Sequence, residues 1–197
     1  AGFGEPLVLP PSTNFVERIQ RVGSASELLD LGFEVTDPEY LLVSRLLTQK
    51  PKRVRTVALG RRANRPTLAF IVTPVAGNLT EYRLKVDSEW VTYTSDGSGT
   101  MAEILAGLKT AIDALALDIT VTVVSTTHLT VVVDTVGAFV SLRSDNIDRL
   151  KVKMNHADPG LAADLEAIRQ QDSAWYSILN PFNSDAEIGA IEKGVRS

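Results

Sequence analysis

The chain has 197 residues, a formal net charge of −4 at pH 7 and a hydrophobic fraction of 44%. Such a length suits one large domain or two small ones, each able to bury a core. Cysteine is absent, which excludes disulfide bonds, thiolate nucleophiles and cysteine-ligated zinc. No apolar run reaches the ~18 residues that a membrane span needs.

The first part of the chain alternates between strand and helix signals. Short strands are predicted over 6–9 and 15–22, and a brief helix follows in "SASELLDLG". Ser24 and Glu27 have the spacing of a capping box, and Gly32 stands where a helix commonly ends in a left-handed residue.

A second helix is predicted to begin at Asp37, with Pro38 as its first helical residue, and to end before Pro51. A strand is predicted next, over 53–59. Helical spacing predicts that the buried side of this helix carries Tyr40, Leu41, Ser44 and Leu47, widened by Val43 and Leu46.

Residues 66–155 are rich in Val and Thr that alternate with period two, which is typical of antiparallel strands. In one of these strands Tyr82, Leu84 and Val86 are expected on one face, with Arg83 and Lys85 on the other. Seven strands are predicted, in "TLAFIVTP", "EYRLKVD", "WVTYT", "ITVTVVS", "HLTVVVD", "AFVSL" and "DRLKVKM".

The glycine-bearing turn "SDGSGT" at 95–100 has two interpretations, a phosphate-binding loop or the start of a helix. A phosphate loop needs a lysine directly before Thr100, but Gly99 stands there, and Ala102 occupies the third glycine position of GxGxxG. Thr100 and Glu103 instead match a capping box, followed by apolar residues at helical spacing. The stretch therefore predicts a helix over 100–115.

Helical patterns return after residue 156. Asp158 is predicted to cap a helix that begins at Pro159 and buries one face made of Leu161, Leu165 and Ile168. "AWYSIL" is predicted to form a buried strand, and a last helix opens with a Ser184/Glu187 capping box.

These patterns predict an α+β fold with two domains. Residues 1–65 and 156–197 are expected to form a mixed α/β core domain built from both chain ends. Residues 66–155 are expected to form an inserted antiparallel β-rich domain, sandwich or barrel-like, that carries one helix. Because the chain starts in strand-like text and ends in a helical pattern, the core domain is expected to be truncated at both ends.

Seven basic residues and no acid occupy 50–65, which leaves a formal net charge of −11 for the rest of the chain. Three interpretations are open: a solvated strand edge, charge complementarity between copies of the chain, and nucleic-acid binding, although no aromatic residue in this strip could stack on bases. The candidate inter-subunit contact residues are Lys50, Lys52, Arg53, Arg55, Arg61, Arg62 and Arg65.

The sequence contains no constellation for catalysis. His128 is expected on a strand surface and His156 in a polar turn, and two distant histidines without cysteine fit neither a zinc site nor a triad. "SDN" at 144–146 matches one β-lactamase element but lacks its partner motifs. We therefore expect no enzyme activity, no cofactor and no metal ion.

Three segments carry a family signal. "ELLDLGFEVTDPEYLLVSRLLTQKPKRVRTVALGRR" has a Gly-Phe step, a Pro-Glu-Tyr helix start, a Gln-x-Pro stop and a strand ending in Gly-Arg. In "YRLKVDSEWVTYTSDGSGTMAEILAGLKTAIDA" a "YTSD" strand end leads to a helix, and "LAADLEAIRQQDSAWYSIL" joins a helix, an Asp and a Trp-Tyr pair to a strand. In this order, the segments resemble the core, the inserted domain and the return to the core of bacteriophage contractile-tail sheath proteins.

The resemblance implies a structural role, in which copies polymerise into a helical sleeve around the tail tube. A baseplate signal would trigger the contraction that drives the tube through the host envelope. The implied partners are neighbouring sheath subunits, the tube protein and the baseplate, with no nucleic acid and no direct membrane contact. The implied location is the virion tail, assembled in the bacterial cytoplasm. Sheath proteins usually carry a further C-terminal domain that links subunits, so this chain alone is expected to be monomeric.

A second hypothesis, from a different class, is a carbohydrate- or receptor-binding β module on a virion surface. It predicts aromatic side chains exposed together on one side of the inserted domain. The candidates are Tyr82, Trp90 and Tyr93, which the strand patterns place partly inward.

Overall fold

The protein has an α+β fold. The computed structural model describes residues 5–11, 14–51, 53–182 and 184–196. In chain order the elements are β1 (Glu5–Val8), β2 (Ile19–Val22), α1 (Ala25–Asp30), α2 (Pro38–Leu47), β3 (Val57–Gly60), β4 (Ala69–Pro74), β5 (Glu81–Val86), β6 (Glu89–Thr94), α3 (Met101–Asp113), β7 (Ile119–Val124), β8 (His128–Val133), β9 (Leu142–Ser144), β10 (Leu150–Met154), α4 (Leu161–Gln171), β11 (Trp175–Leu179) and α5 (Asp185–Arg196).

The chain divides into two compact units. The first, called the α/β unit here, comprises Ala1–Pro66 and Asp158–Ser197, and the second, the β unit, comprises Thr67–Ala157. The predicted boundaries, 65/66 and 155/156, fall beside these limits because a change from helical to period-two patterning marks the point where the core changes.

The α/β unit contains a four-stranded sheet in the order β11-β1-β3-β2. Strand β1 is parallel to both β11 and β3, whereas β2 is antiparallel to β3. Alternate side chains of the sheet enter two different cores. Val8, Val57 and Leu59 pack with residues of α1 and α2, and Leu7, Leu9 and Ala58 pack with residues of α4 and α5.

The signals that were predicted to begin and end the helices of this unit are only partly confirmed. At the end of α1, Gly32 has φ +88°, and the N–H of Phe33 donates to the carbonyl of Leu28, as in a Schellman motif. Pro38 opens α2 behind Asp37 as predicted. The prediction of a capping box at Ser24 was wrong, because Ser24 Oγ donates to the Glu27 carboxylate and accepts no helix N–H.

Several other boundaries differ from the sequence prediction. The strands predicted over 15–22 and 53–59 are shorter and begin at Ile19 and Val57. Helix α4 begins at Leu161 rather than Pro159, because Asp158 Oδ1 accepts from the N–H groups of Gly160 and Leu161 and holds a turn ahead of the helix. Strand β11, predicted to be buried, is an edge strand, and 57% of its residue Tyr176 is exposed.

The β unit contains two antiparallel sheets, with strand orders β10-β4-β8-β7 and β6-β5-β9. Helix α3 contacts β6 of one sheet and β7 of the other, and its apolar face of Ile104, Leu105, Leu108 and Ile112 is buried. In β5 the alternation is as predicted, with Tyr82, Leu84 and Val86 buried and the residues between them not. The strand predicted over 138–142 lies later, at Leu142–Ser144.

The "SDGSGT" turn is the start of a helix. Thr100 Oγ1 accepts from the N–H of Glu103 at 3.3 Å, and a Glu103 carboxylate oxygen accepts from the N–H of Thr100 at 3.3 Å. The buried Ser95 hydroxyl donates to the carbonyl of Gly77 and accepts from the N–H of Thr80. The polar groups of the turn are therefore bonded within the β unit, and the capping-box prediction is confirmed.

Candidate inter-subunit surface

The basic strip at 50–65 is not one patch in the folded chain. Strand β3 lies in its middle, and all four of its residues are buried between β1 and β2. These four residues alone span about 13 Å, so the charges before and after β3 lie at opposite ends of a central strand. The interpretation of the strip as a solvated strand edge was therefore wrong.

The charges before β3 form an exposed group, which we call the basic segment: Lys50, Arg53 and Arg55. None of these three side chains pairs with an acid among the residues that the structure describes. Lys52 lies outside the described residues. The basic segment follows the C-terminal end of α2 in the chain.

Of the three charges after β3, Arg61 and Arg65 are half-buried and Arg62 is used internally. Arg62 is fully buried, and its Nη2 lies 2.7 Å from Oε1 of Glu187, which is also fully buried. Asn180 Nδ2 donates to the second oxygen of the Glu187 carboxylate at 2.7 Å. Arg62 therefore cannot be part of an exposed contact surface of the folded unit, and its assignment there was wrong.

A second buried acid organises the backbone beside Arg61. Both carboxylate oxygens of Asp164 accept backbone N–H groups, from Ala63 and Asn64, at 3.0 Å each. Arg18 Nη1 lies 3.4 Å from Asp164 Oδ1 and donates to the carbonyl of Arg61 at 2.9 Å. Arg61 is only half-buried. The carboxyl ends of the parallel strands, where open α/β sheets often bind ligands, are thus occupied by a network of the unit's own side chains.

The two buried acids, Glu187 and Asp164, have a recognisable signal in the sequence. Glu187 lies three and four positions before Ala190 and Ile191, which face the core, and Asp164 lies between Leu161 and Leu165 on the buried face of α4. An acid inside an apolar stripe predicts a buried carboxylate that needs a partner. These partners could not be predicted, because Arg62 lies 125 residues from Glu187 and Asn64 lies 100 residues from Asp164.

Helix α2 also buries an acid on its apolar face. Its apolar stripe was predicted to include Leu41, but 44% of Leu41 is exposed, and Glu39 is buried together with Val43 and Leu47. Burial of its carboxyl group raises the pKa of Glu39 to about 7. The helix is therefore rotated relative to the predicted face.

Opposite the basic segment, the N-terminal end of α2 is acidic. Asp30, Glu34 and Asp37 lie between the end of α1 and the start of α2, and no lysine or arginine occurs from residue 22 to residue 44. Asp30 and Glu34 are exposed and Asp37 is partly exposed. Val35 and Leu41, exposed by 56% and 44%, lie among them. We call these five residues the acidic surface.

The two charged surfaces are separated by the length of α2. A helix of 10 residues is about 15 Å long. The acidic surface therefore lies at one end of α2, and the basic segment lies beyond the other end in the chain. Two different complementary surfaces on one unit allow head-to-tail association, in which each copy contacts two others.

Neither the two histidines nor the surface pocket between α4 and α5 indicates a catalytic or metal site. His128 Nδ1 lies 2.8 Å from Thr127 Oγ1, and His156, which was predicted in a polar turn, is buried. Among the described residues no three His, Cys, Asp or Glu side chains are grouped to hold a metal ion. A surface pocket of about 410 Å³ between α4 and α5 is lined by Ala162, Glu166, Lys193 and Gly194, and none of the predicted contact residues lines it.

Comparison with known proteins identifies no family for this chain. No protein-family model matches the sequence, and no curated protein matches it either. Within the part of the chain that the structure describes, no helix is both long enough and apolar enough to cross a membrane.

Proposed function

We propose that this chain belongs to a structural subunit of a bacteriophage contractile-tail sheath. Copies polymerise around the tail tube and contract on a signal from the baseplate, and the protein is located in the virion tail. The segments that resemble sheath proteins support the proposal by their positions. Pro38 opens α2, Gly60 ends β3, and Trp175 opens β11. The "YTSD" segment closes β6 ahead of the helix α3.

The observation that carries the proposal is the separation of the basic segment from the acidic surface on the α/β unit. Charged surfaces exchange partners at low cost, because exposed ion pairs contribute only about 0–1 kcal/mol each. Many weak contacts of this kind suit subunits that hold together in one packing and then slide into another as rigid bodies. No step of this function requires a catalytic group.

The test is polymer formation by the full-length gene product, followed by sedimentation and negative-stain electron microscopy. We expect the variant Arg53→Glu/Arg55→Glu to form few tubes or none, because the basic segment becomes acidic and faces the acidic surface of its neighbour. The variant Lys151→Glu/Lys153→Glu has the same change of charge at two exposed positions of the β unit and should assemble normally.

Mixing two variants makes the test specific for complementary surfaces. Asp30→Lys/Glu34→Lys should also fail alone, whereas an equal mixture with Arg53→Glu/Arg55→Glu should recover contacts between the reversed surfaces. Normal tubes from Arg53→Glu/Arg55→Glu alone would remove this interface from the proposal. A full-length product that stays monomeric at every concentration would contradict the sheath function itself.

The three aromatic candidates of the carbohydrate-binding alternative are not exposed together. Tyr82 is fully buried and donates its hydroxyl to the carbonyl of Val75 at 2.7 Å. Tyr93 is half-buried and donates to the carboxylate of Glu103. Only Trp90 of the three candidates is exposed, by 46%, so the prediction that it faces partly inward was wrong. These three side chains do not form an aromatic platform.

A further inference from the structure

The outer face of the sheet β6-β5-β9 carries a row of three neighbouring side chains, Trp90, Lys85 and Arg143. In the strand register Lys85 lies opposite Trp90 on one side and opposite Arg143 on the other. The neighbours Leu84 and Val91 point to the buried side. Adjacent strands are about 4.8 Å apart, so the row spans about 10 Å.

The two cations of the row, Lys85 and Arg143, are directly opposite each other in the strand register. Like charges directly opposite each other across two strands are destabilising. Neither Lys85 nor Arg143 forms an ion pair with another of the residues that the structure describes. Two nearby acids are used elsewhere, because Glu81 and Asp145 lie 3.9 Å and 3.7 Å from nitrogens of Arg83. A local conflict of this kind is expected at a functional site, where a ligand supplies the missing charge.

The third member of the row presents an aromatic ring to solvent. Trp90 is 46% exposed. The guanidinium carbon of Arg83 lies 4.6 Å from the centroid of its ring, and Nζ of Lys85 lies 5.9 Å from it. These cation–π contacts hold the ring in place beside the charged pair. The exposed Thr92 and Thr94 follow Trp90 at alternate positions on the same face of β6, where their hydroxyls can donate and accept hydrogen bonds.

We propose that this row binds an acidic saccharide. A carboxylate of the ligand lies between Lys85 and Arg143 and relieves their repulsion, an adjacent sugar ring stacks on Trp90, and the threonine hydroxyls bond to sugar hydroxyls. Sparse charge on the ligand is favoured over a polyphosphate, because residues 67–157 contain ten acids and seven bases, and because Glu89 and Asp145 flank the row. The proposal does not depend on the sheath function.

The experiment is calorimetric titration of the chain with four probes: hyaluronan oligosaccharides, dextran oligosaccharides, oligo(dT) and poly-glutamate. Hyaluronan, with one carboxylate per disaccharide, should bind, and neutral dextran should not. Arg143→Thr and Trp90→Ala should each weaken hyaluronan binding by roughly tenfold or more, the loss expected for one charge-assisted hydrogen bond or one ring contact. Arg53→Glu, an exposed substitution in the other unit, should leave binding unchanged.

A second measurement separates a binding role from a structural one. Because the Lys85–Arg143 pair is repulsive, Arg143→Thr should keep or raise the melting temperature of the β unit while it weakens binding. A lower melting temperature in step with the loss of binding would overturn the proposal, as would hyaluronan binding that survives Arg143→Thr and Trp90→Ala. Tighter binding of oligo(dT) or poly-glutamate than of hyaluronan would assign the row to a nucleic acid or an acidic protein, and the saccharide assignment would be wrong.

Discussion

Arg62 and Glu187 form an ion pair in which both side chains are fully buried, with Nη2 and Oε1 2.7 Å apart. The pair joins the second residue after the central strand β3 to the first turn of the last helix, α5. The second carboxylate oxygen accepts from Asn180. Removing one member of a buried pair leaves a charge without compensation, which costs far more than the pair contributes.

We predict that Arg62→Met lowers the free energy of unfolding of the α/β unit by about 3–5 kcal/mol. The two tryptophans allow this unit to be followed alone, since Trp175 lies in β11 and Trp90 lies in the β unit. Urea unfolding, monitored by Trp175 fluorescence in a Trp90→Phe background, measures the change. Arg53→Met, at an exposed position, should cost less than ~0.5 kcal/mol. Similar losses of unfolding free energy for Arg62→Met and Arg53→Met would contradict this prediction, because burial of the pair would then make no difference. Arg62→Met/Glu187→Leu should recover most of the lost stability.

We predict that Glu39 makes the α/β unit less stable as the pH rises from about 4.5 to about 7. Burial, and to a lesser degree the negative charge of Asp37, raises the pKa of the Glu39 carboxyl from 4.5 to about 7. In that interval the folded state binds more protons than the unfolded state, so the stability falls with rising pH. The full cost, on the order of 3 kcal/mol, is present above the folded pKa.

Glu39→Gln isolates this effect from the other titrating groups. Above pH 7 the variant should be more stable than the parent chain, and the difference should vanish near pH 4. Glu34→Gln is the matched control, because it makes the same substitution at an exposed position of the same unit. Parallel profiles for the parent chain and Glu39→Gln would show that Glu39 does not titrate in this range.

We predict opposite results for alanine at two helical glycines. A Cβ on Gly107 of α3 would lie far inside van der Waals contact with the ring of Tyr93. Gly107→Ala would therefore displace the ring and its hydrogen bond to Glu103, at a cost of about 1–3 kcal/mol. A Cβ on Gly189 of α5 would meet nothing within 4 Å, so Gly189→Ala should stabilise by up to ~1 kcal/mol through helix propensity. Hydrogen exchange resolved by mass spectrometry measures each unit separately. A stabilising effect at both positions would mean that Tyr93 moves aside freely.

We predict that two of the three capping-box sequences, those at Ser24 and Thr100, differ in their contribution to the free energy of unfolding. Thr100→Ala removes an acceptor for the N–H of Glu103 and should destabilise the β unit by about 1 kcal/mol. Ser24 accepts no helix N–H, so Ser24→Ala should change stability by only a few tenths of a kcal/mol. Thermal unfolding followed by circular dichroism compares the two variants. Equal losses would mean that Ser24 caps α1 in solution.

Local chemistry alone was enough to predict most elements. Pro38 at the start of α2, Gly32 after α1 and the Thr100 box of α3 act within four or five residues, so their effect can be recognised from neighbours in the chain. The alternation in β5 identifies its buried face for the same reason, since the period of a strand is a local property. Ser24 shows the limit of this reasoning, because the correct spacing places the groups close together without deciding which hydrogen bond forms.

Burial of charge was decided only by the tertiary structure. Arg53 and Arg62 belong to one basic strip in the sequence, yet one is exposed and the other is fully buried. The difference arises because β3 is a central strand, and because the fold places Glu187, which is 125 residues further along the chain, beside Arg62. The row of Trp90, Lys85 and Arg143 likewise exists only through strand pairing. The sequence determined the elements, since their signals are local, whereas the partner of each buried or crowded charge depends on contacts that only the fold creates.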